Sequence, residues 1–237
     1  MCIWFLVSLL GAIAIVPLHF LSVEHLKLQE RYGKQKGIRI GEILGLISGW
    51  GFFIFWMGIW VSPQPRFTIP IVHETSVLLP IIDFSIPLLH LLIGAFILVL
   101  GAWFGIQGVR ETGLNAAETH RTEKIVTRGV YSIVRHPQYL GGLLAHVGIS
   151  FVLSAWYSLL STPLMVVLVF LMSNREEKEL TKEFGKEYED YKRKVPMLIP
   201  KARSSNRRKL SRFRSTPRSR RDWLFRPARK LFNECHC

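Results

Sequence analysis

The sequence has little cysteine and long segments without charge. Its three cysteines are too few for a disulfide framework. Acidic residues are also scarce, with 17 Asp and Glu against 31 Lys and Arg and a net charge of +14. Charged residues are missing altogether from positions 1–23, 43–65, 84–109 and 137–174. Because a soluble domain needs polar faces on its helices, four such segments in one chain argue against a soluble fold.

The uncharged segments have the lengths of membrane spans. A hydrocarbon core of about 30 Å is crossed by roughly 20 helical residues, so each of the first three segments can cross once. The fourth can cross twice, with a turn at "LSAWYS", residues 153–158. The sequence therefore predicts an all-α integral membrane protein with about five transmembrane helices. The first segment could instead be a cleaved signal, but it lacks a basic stretch before its apolar centre.

The distribution of Lys and Arg predicts the orientation of these spans. Five basic residues lie between the first and second spans, one between the second and third, and five between the third and fourth. None lies between the fourth and fifth, whereas the sequence after residue 174 is strongly basic. By the positive-inside rule, this alternation predicts a multi-pass protein with its N-terminus outside and its C-terminus in the cytoplasm.

The segment after the last span divides into two parts. "SNREEKELTKEFGKEYEDYKRK" has Glu and Lys at helical spacing, which predicts an amphipathic cytoplasmic helix interrupted near Gly185. Residues 201–237 contain thirteen basic and two acidic residues, and so carry eleven of the fourteen net positive charges. This composition predicts a disordered basic tail.

The basic tail suggests two kinds of partner. Trp223, Phe225 and Phe232 lie among the arginines, as expected of a segment that binds anionic lipid headgroups. Nucleic-acid binding is the alternative, but a tail tethered beneath a membrane meets lipid first, so no nucleic-acid partner is expected. The terminal Cys235-His-Cys237 could be a lipidation or metal signal, or could bind nothing, and no metal site is predicted.

A candidate site lies where the fourth span begins. Arg135 and His136 directly precede Pro137, which can start a helix and disfavours helical geometry for His136. The amide N–H groups of that first turn point back at the Arg-His pair and predict an anion site. The fifth span emerges on the same side with Glu176 and Glu177. We therefore expect a cytoplasmic site with both signs of charge.

Two stretches resemble a known enzyme family. "KIVTRGVYSIVRHPQYLGG" and "EEKELTKEFGKEYEDYKRKVPMLIP" resemble the isoprenylcysteine carboxyl methyltransferases and their phospholipid methyltransferase relatives. The resemblance implies an integral membrane enzyme that takes S-adenosylmethionine from the cytoplasm and methylates a membrane lipid or a lipidated acceptor. Arg135 and His136 are the predicted catalytic residues. The predicted cofactor-binding residues are Glu123, Lys124, Ile125, Val126, Tyr131, His136, Pro137, Gln138, Tyr139, Glu176 and Glu177.

Two positions depart from the prenylcysteine enzymes. Glu123 stands where that family has His, and Met172 stands where its substrate-binding Arg lies, one helical turn before the Glu that matches Glu176. A methionine cannot pair with a carboxylate. Carboxyl O-methylation and phospholipid N-methylation therefore both remain open for the acceptor.

Two readings outside this family also remain. Sterol-type membrane reductases with a nicotinamide cofactor use a similar His-Pro-Tyr helix start, and a non-enzymatic membrane anchor would explain the tail alone. The methyltransferase reading predicts three parts: residues 1–110 with three transmembrane helices, 111–200 with the methyltransferase core, and the tail at 201–237.

Overall fold

A computed structural model describes residues 2–69, 75–79, 84–114 and 124–200. The predicted tail and Glu123 lie outside these residues. The described chain is mostly helical, as predicted. Its elements, in chain order, are α1 (Ile3–Val23), α2 (His25–Tyr32), α3 (Lys34–Val61), β1 (Ser76–Leu79), β2 (Phe84–Pro87), α4 (Leu88–Thr112), a 3-10 turn (Gly129–Ser132), α5 (Pro137–Val152), α6 (Trp156–Phe184) and α7 (Lys186–Lys194).

Four of the described helices, α1, α3, α4 and α6, are long and apolar enough to span a membrane. They present large apolar side chains outward, as a membrane protein must, with Phe96 67% exposed and Phe170 50% exposed. The fourth predicted span corresponds to α5, which has only 16 residues and is about 24 Å long. The structure thus indicates an integral membrane protein, while the count of five spans and the orientation stay predictions.

Local sequence explains where several helices begin and end. Pro137 is the first residue of α5, because its fixed φ suits a helix start and its missing N–H needs no partner there. The chain turns between α5 and α6 within the segment predicted to do so, and Ser154 in that turn has a φ of 52°. Gly185, with a φ of 55°, separates α6 from α7.

One element differs from the sequence prediction. The third uncharged segment was expected to be helical from residue 84, but Phe84–Pro87 forms β2 and pairs antiparallel with β1. Arg66 donates a hydrogen bond to the carbonyl of Ser85 and lies over the ring of Phe84. These contacts outside the spans favour a strand over an additional helical turn.

Helices α4 and α5 approach so closely that glycine is required at their contacts. A Cβ atom at Gly101 would lie 2.9 Å from the carbonyl oxygen of Gly141, and one at Gly141 would lie 2.7 Å from that of Gly101. Gly94 and Gly148 form a second such pair. Small residues allow this backbone approach between membrane helices, where packing replaces the hydrophobic effect.

A buried polar cluster joins α3, α5 and α6. The indole N–H groups of Trp56 and Trp60 both donate to Nδ1 of His146, each over 2.8 Å. Because Nδ1 accepts, the ring hydrogen is on Nε2, which faces the carbonyl oxygen of Ser158 at 3.1 Å. Polar groups inside a membrane protein need such internal partners, so the cluster fixes the three helices relative to one another.

Candidate active site

A cavity lies where α1, α5 and α6 meet the segment before the 3-10 turn. Several elements contribute to it. Its lining combines carboxylates, two histidines, two basic residues, tyrosines and aliphatic side chains. The lining residues are Val23, His25, Thr112, Lys124, Ile125, Val126, Tyr131, Arg135, His136, Gln138, Tyr139, Glu176, Glu179, Leu180, Glu183, Tyr188 and Tyr191.

His136 is held at the entrance of α5 by the chain that follows α7. Its backbone N–H donates to the carbonyl of Met197 over 3.1 Å, and that of Arg135 donates to Pro196 over 2.9 Å. A residue before proline is kept out of the helix that follows, so its backbone N–H needs a partner elsewhere. These hydrogen bonds supply that partner. The side chain of His136 is thereby directed toward the two carboxylates of α6.

His136 lies between Glu176 and Glu177. Its Nδ1 is 3.4 Å from Oε2 of Glu176, and its Nε2 is 3.3 Å from Oε1 of Glu177. Burial alone would lower the pKa of His136, but the two carboxylates outweigh it, and the pKa is raised above the ordinary value. His136 therefore carries positive charge over more of the neutral pH range than a free histidine does.

Glu176 is the carboxylate that faces the cavity. Its Oε1 accepts a hydrogen bond from the hydroxyl of Tyr139 and lies 3.2 Å from Nε2 of His19. The ring of His136 stacks on that of Tyr139, with centroids 5.7 Å apart. Side chains from α1, α5 and the residue before α5 therefore surround this one carboxylate.

Glu177 instead faces basic groups beside the cavity. Its Oε1 accepts a hydrogen bond from Nε of Arg135 over 2.7 Å, and its Oε2 is 3.2 Å from Nζ of Lys192. Arg135 also donates from Nη1 to the carbonyl oxygens of Lys192, over 2.9 Å, and of Val195. The guanidinium is only 9% exposed, so Arg135 connects α6 to the end of α7.

Tyr131 and Gln138 form the side of the cavity near α4. The side-chain amide of Gln138 donates to the hydroxyl of Thr112 over 3.1 Å and to that of Tyr131 over 3.3 Å. Burial raises the pKa of Tyr131 to about 12, so its hydroxyl stays protonated and can donate in turn. These bonds fix the first turn of α5 against the end of α4.

Helix α7 covers the opposite side of the cavity. Tyr188 and Tyr191 are buried and pack with Ile125, Leu180 and Phe184. The hydroxyl of Tyr191 donates to the backbone carbonyl of Tyr131 over 2.7 Å. The apolar face of α7 therefore holds the segment before the 3-10 turn in place beside α6.

The structure brings together most of the residues predicted from the sequence. Lys124, Ile125, Val126, Tyr131, Arg135, His136, Gln138, Tyr139 and Glu176 all line the cavity. Two further predicted residues, Pro137 and Glu177, are buried next to these residues and do not belong to the described lining. Within the described residues, no group of three or more His, Cys, Asp or Glu side chains is arranged to hold a metal ion.

Sequence reasoning missed residues from the N-terminal helices and from α6. His19 contacts Glu176 while being fully buried, and His25 lines the cavity. Glu179 also lines it and is 7% exposed; its Oε1 bonds Lys182 over 2.6 Å. A titratable residue inside an uncharged span is itself a signal of function, and His19 in the first span carried that signal.

Comparison with known proteins agrees with this geometry. Residues 89–187 match a family model described as phospholipid methyltransferase. The matched residues make up less than half of the chain. The match includes α4, α5, the 3-10 turn and all of α6, and so contains most of the cavity-lining residues. The resemblance stated from the sequence motifs is confirmed.

Relatives of two kinds share this region. The chain is 32% identical over 128 residues to methanethiol S-methyltransferase 1 of Bradyrhizobium diazoefficiens, covering 52% of this chain and 44% of that protein. It is 35% identical over 86 residues to protein-S-isoprenylcysteine O-methyltransferase of Schizosaccharomyces pombe, covering 36% of each. The enzyme of that name from Saccharomyces cerevisiae is 32% identical over 121 residues, covering 46% of this chain and 48% of its own. The chain thus spans less than half the length of each of these relatives.

Proposed function

We propose that this protein is a membrane methyltransferase that uses S-adenosylmethionine and methylates a lipid or a lipidated acceptor. The observation that carries the proposal is the grouping of His136, Tyr139 and Glu176 in one cavity at the ends of α5 and α6. The family match over residues 89–187 supports it, because those residues contain this grouping.

The residues of the cavity fit the charges of the cofactor. S-adenosylmethionine has one carboxylate and two positive groups, an ammonium and a sulfonium. The first-turn amides of α5, at Gln138 and Tyr139, have no partner within the helix and lie next to His136, whose pKa is raised, which suits a carboxylate. Glu176 offers a carboxylate to a positive group, and Ile125 and Leu180 supply apolar surface.

The protein's contribution to the reaction is alignment and exclusion of water. When bound, the cofactor supplies a methyl group on a positively charged sulfur, which is open to in-line displacement. Tyr139 and His136 fix the position of Glu176, and α7 covers the cavity with Tyr188 and Tyr191. Arg135 contributes by holding Glu177 and the end of α7, and we assign it a positioning role.

The choice of acceptor depends on the missing cation at position 172 of α6. Met172 occupies the position where the prenylcysteine enzymes have an Arg, and it is buried in an apolar cluster. Arg135 is paired with Glu177, and Arg175 with Glu24, so neither replaces that Arg without losing a partner. A carboxylate in a low-dielectric site needs a cation, so a simple prenylcysteine carboxylate is a poor acceptor here.

A neutral acceptor is therefore the second candidate. The methanethiol S-methyltransferases among the relatives have names that state a thiol acceptor, which carries no charge until it loses its proton. A lipid amine, the acceptor in phospholipid N-methylation, is likewise neutral once deprotonated. Met172 is compatible with both acceptors. An uncharged acceptor needs no cation, and a buried cation beside it would have no partner.

The test is incubation of the purified protein with methyl-labelled S-adenosylmethionine and one acceptor source at a time. Native lipid extract, a farnesylcysteine analogue and methanethiol are the three sources, and the labelled product is identified by mass spectrometry. We expect label in a lipid or a thioether. Binding of NADPH together with no binding of S-adenosylmethionine would refute the proposal in favour of a reductase.

A further inference from the structure

We infer that His19 is a positioning residue for Glu176, and therefore that α1 contributes to the cofactor site. The family model matches only residues 89–187, and α1 lies outside that range. The inference rests on the proposed function, because it assigns His19 its role through the carboxylate that faces the cofactor.

The geometry places His19 directly behind the cavity. Its Nε2 lies 3.2 Å from Oε1 of Glu176, the same oxygen that accepts the hydroxyl hydrogen of Tyr139. The side chain of His19 is 0% exposed, that of Glu176 is 15% exposed, and His19 does not line the cavity. His19 therefore acts on a bound molecule only through Glu176.

A second contact holds the end of α1 against α6. Glu24, directly after α1, forms an ion pair with Arg175, the residue before Glu176. The hydroxyl of Ser22 donates to the carbonyl of His19 over 2.7 Å and reinforces the last turns of α1. Two adjacent residues of α6 thus each bind a side chain from the α1 end, which limits rotation of Glu176 about its helix.

The chemistry of the pair explains why a histidine suits this position. An imidazole nitrogen at 3.2 Å is a polar partner that can hold the Glu176 carboxylate beside α1 and toward the cavity. With Tyr139 of α5 and His136, the residue before α5, on its other sides, Glu176 has polar partners from two distant parts of the described sequence. An apolar residue at position 19 removes one of these partners and frees the carboxylate to rotate away from the cavity.

The experiment measures binding of S-adenosylhomocysteine to full-length, detergent-solubilised protein by calorimetry. His19→Leu removes the imidazole at similar volume, and we expect it to weaken binding about tenfold, as for loss of one polar contact to a charged group. His19→Asn retains an N–H donor and should recover most of that affinity. In a Glu176→Ala background, His19→Leu should have little further effect, since its target is gone.

Val16→Ala, one turn earlier on α1, is the matched control. Val16 is 5% exposed and packs in the apolar cluster, so this change should lower thermal stability and leave affinity unchanged. Should His19→Leu not fold, His19→Met carries the same expectation. Equal binding by wild type and the apolar variant would overturn the role of His19, as would equal weakening by His19→Asn. Absence of binding by the wild type would overturn the proposed function, and this inference with it.

Discussion

Met172 lies one helical turn before Glu176 on α6, yet the two side chains meet different surroundings. Met172 is 2% exposed among apolar residues of α1, α3 and α6, whereas Glu176 faces the cavity. Met172 is buried in that cluster and presents no charge to a molecule bound beside Glu176. We expect this relationship to disfavour acceptors that carry a carboxylate.

The first prediction concerns that acceptor. We expect wild-type protein to transfer little methyl label to a farnesylcysteine analogue, and Met172→Arg to increase the transfer by supplying a cation for the carboxylate. Met172→Leu keeps the volume without the charge and should leave the rate low. The comparison uses scintillation counting of the extracted analogue. Efficient transfer by the wild type would show that another basic residue serves the carboxylate.

The second prediction concerns the cofactor. Glu176→Ala and His136→Ala should each weaken S-adenosylhomocysteine binding roughly tenfold to a hundredfold, since each removes a charge-assisted contact worth about 1.5–3 kcal/mol. Glu187→Ala removes the same charge from an exposed position on α7 and should bind normally. Isothermal calorimetry in detergent gives the three affinities. Unchanged affinity in both site variants would place the cofactor elsewhere.

The third prediction concerns pH. The pKa of His136 is raised in the folded protein by Glu176 and Glu177, so the folded state binds this proton more tightly than the unfolded state does. Its stabilising contribution is complete below the unfolded pKa of about 6.5 and is lost as pH rises through the folded pKa. The melting temperature should therefore fall over that range, and fall less in His136→Gln. Parallel pH profiles for the two proteins would contradict this reading.

The fourth prediction concerns Arg135. Its side chain is 9% exposed and that of Glu177 is 2% exposed, so Arg135→Met leaves a buried carboxylate without its main partner. We expect destabilisation of about 3–5 kcal/mol, read as a lower melting temperature. Arg193→Met, in an exposed pair with Asp190, is the control and should change stability little. If Arg135 instead contacts the cofactor directly, affinity should fall with no loss of stability.

The fifth prediction concerns orientation. In a variant whose natural cysteines are replaced by serine, Thr68→Cys should react with an impermeant thiol reagent added to intact cells, and Thr127→Cys should not. Both positions are exposed, so accessibility to solvent is matched. The reverse pattern would place the cavity on the side without cytoplasmic methyl donor, which would refute the proposed function.

Local rules predicted the parts of the site that depend on neighbours in sequence. Pro137 at the start of α5 and Gly185 after α6 follow from backbone geometry, and they place His136 and Glu176 at the same end of the helical pair. The strand at Phe84–Pro87 was not predicted, because its residues continue the apolar composition of the span that follows, and Arg66, which contacts it, lies 19 residues earlier.

The tertiary contacts of the site could not be predicted from the sequence. Arg135 was expected to bind an anion of the ligand, and its pairing with Glu177 and the end of α7 depends on how α6 and α7 pack. His19 reaches Glu176 across more than 150 residues of chain, and no spacing rule connects them. Periodicity identifies a helix face but does not say which helix will pack against it.

The backbone contact between α4 and α5 determines which helices can move during turnover. At Gly101 and Gly141 the two main chains touch, so neither helix can slide or rotate without a steric clash, and the pair behaves as a rigid frame. By contrast, α1 meets α6 through side chains such as His19 and Glu24, which can change rotamer and re-form their contacts. We expect any movement that admits a ligand to involve the α1 side, with the α4–α5 frame as its fixed reference.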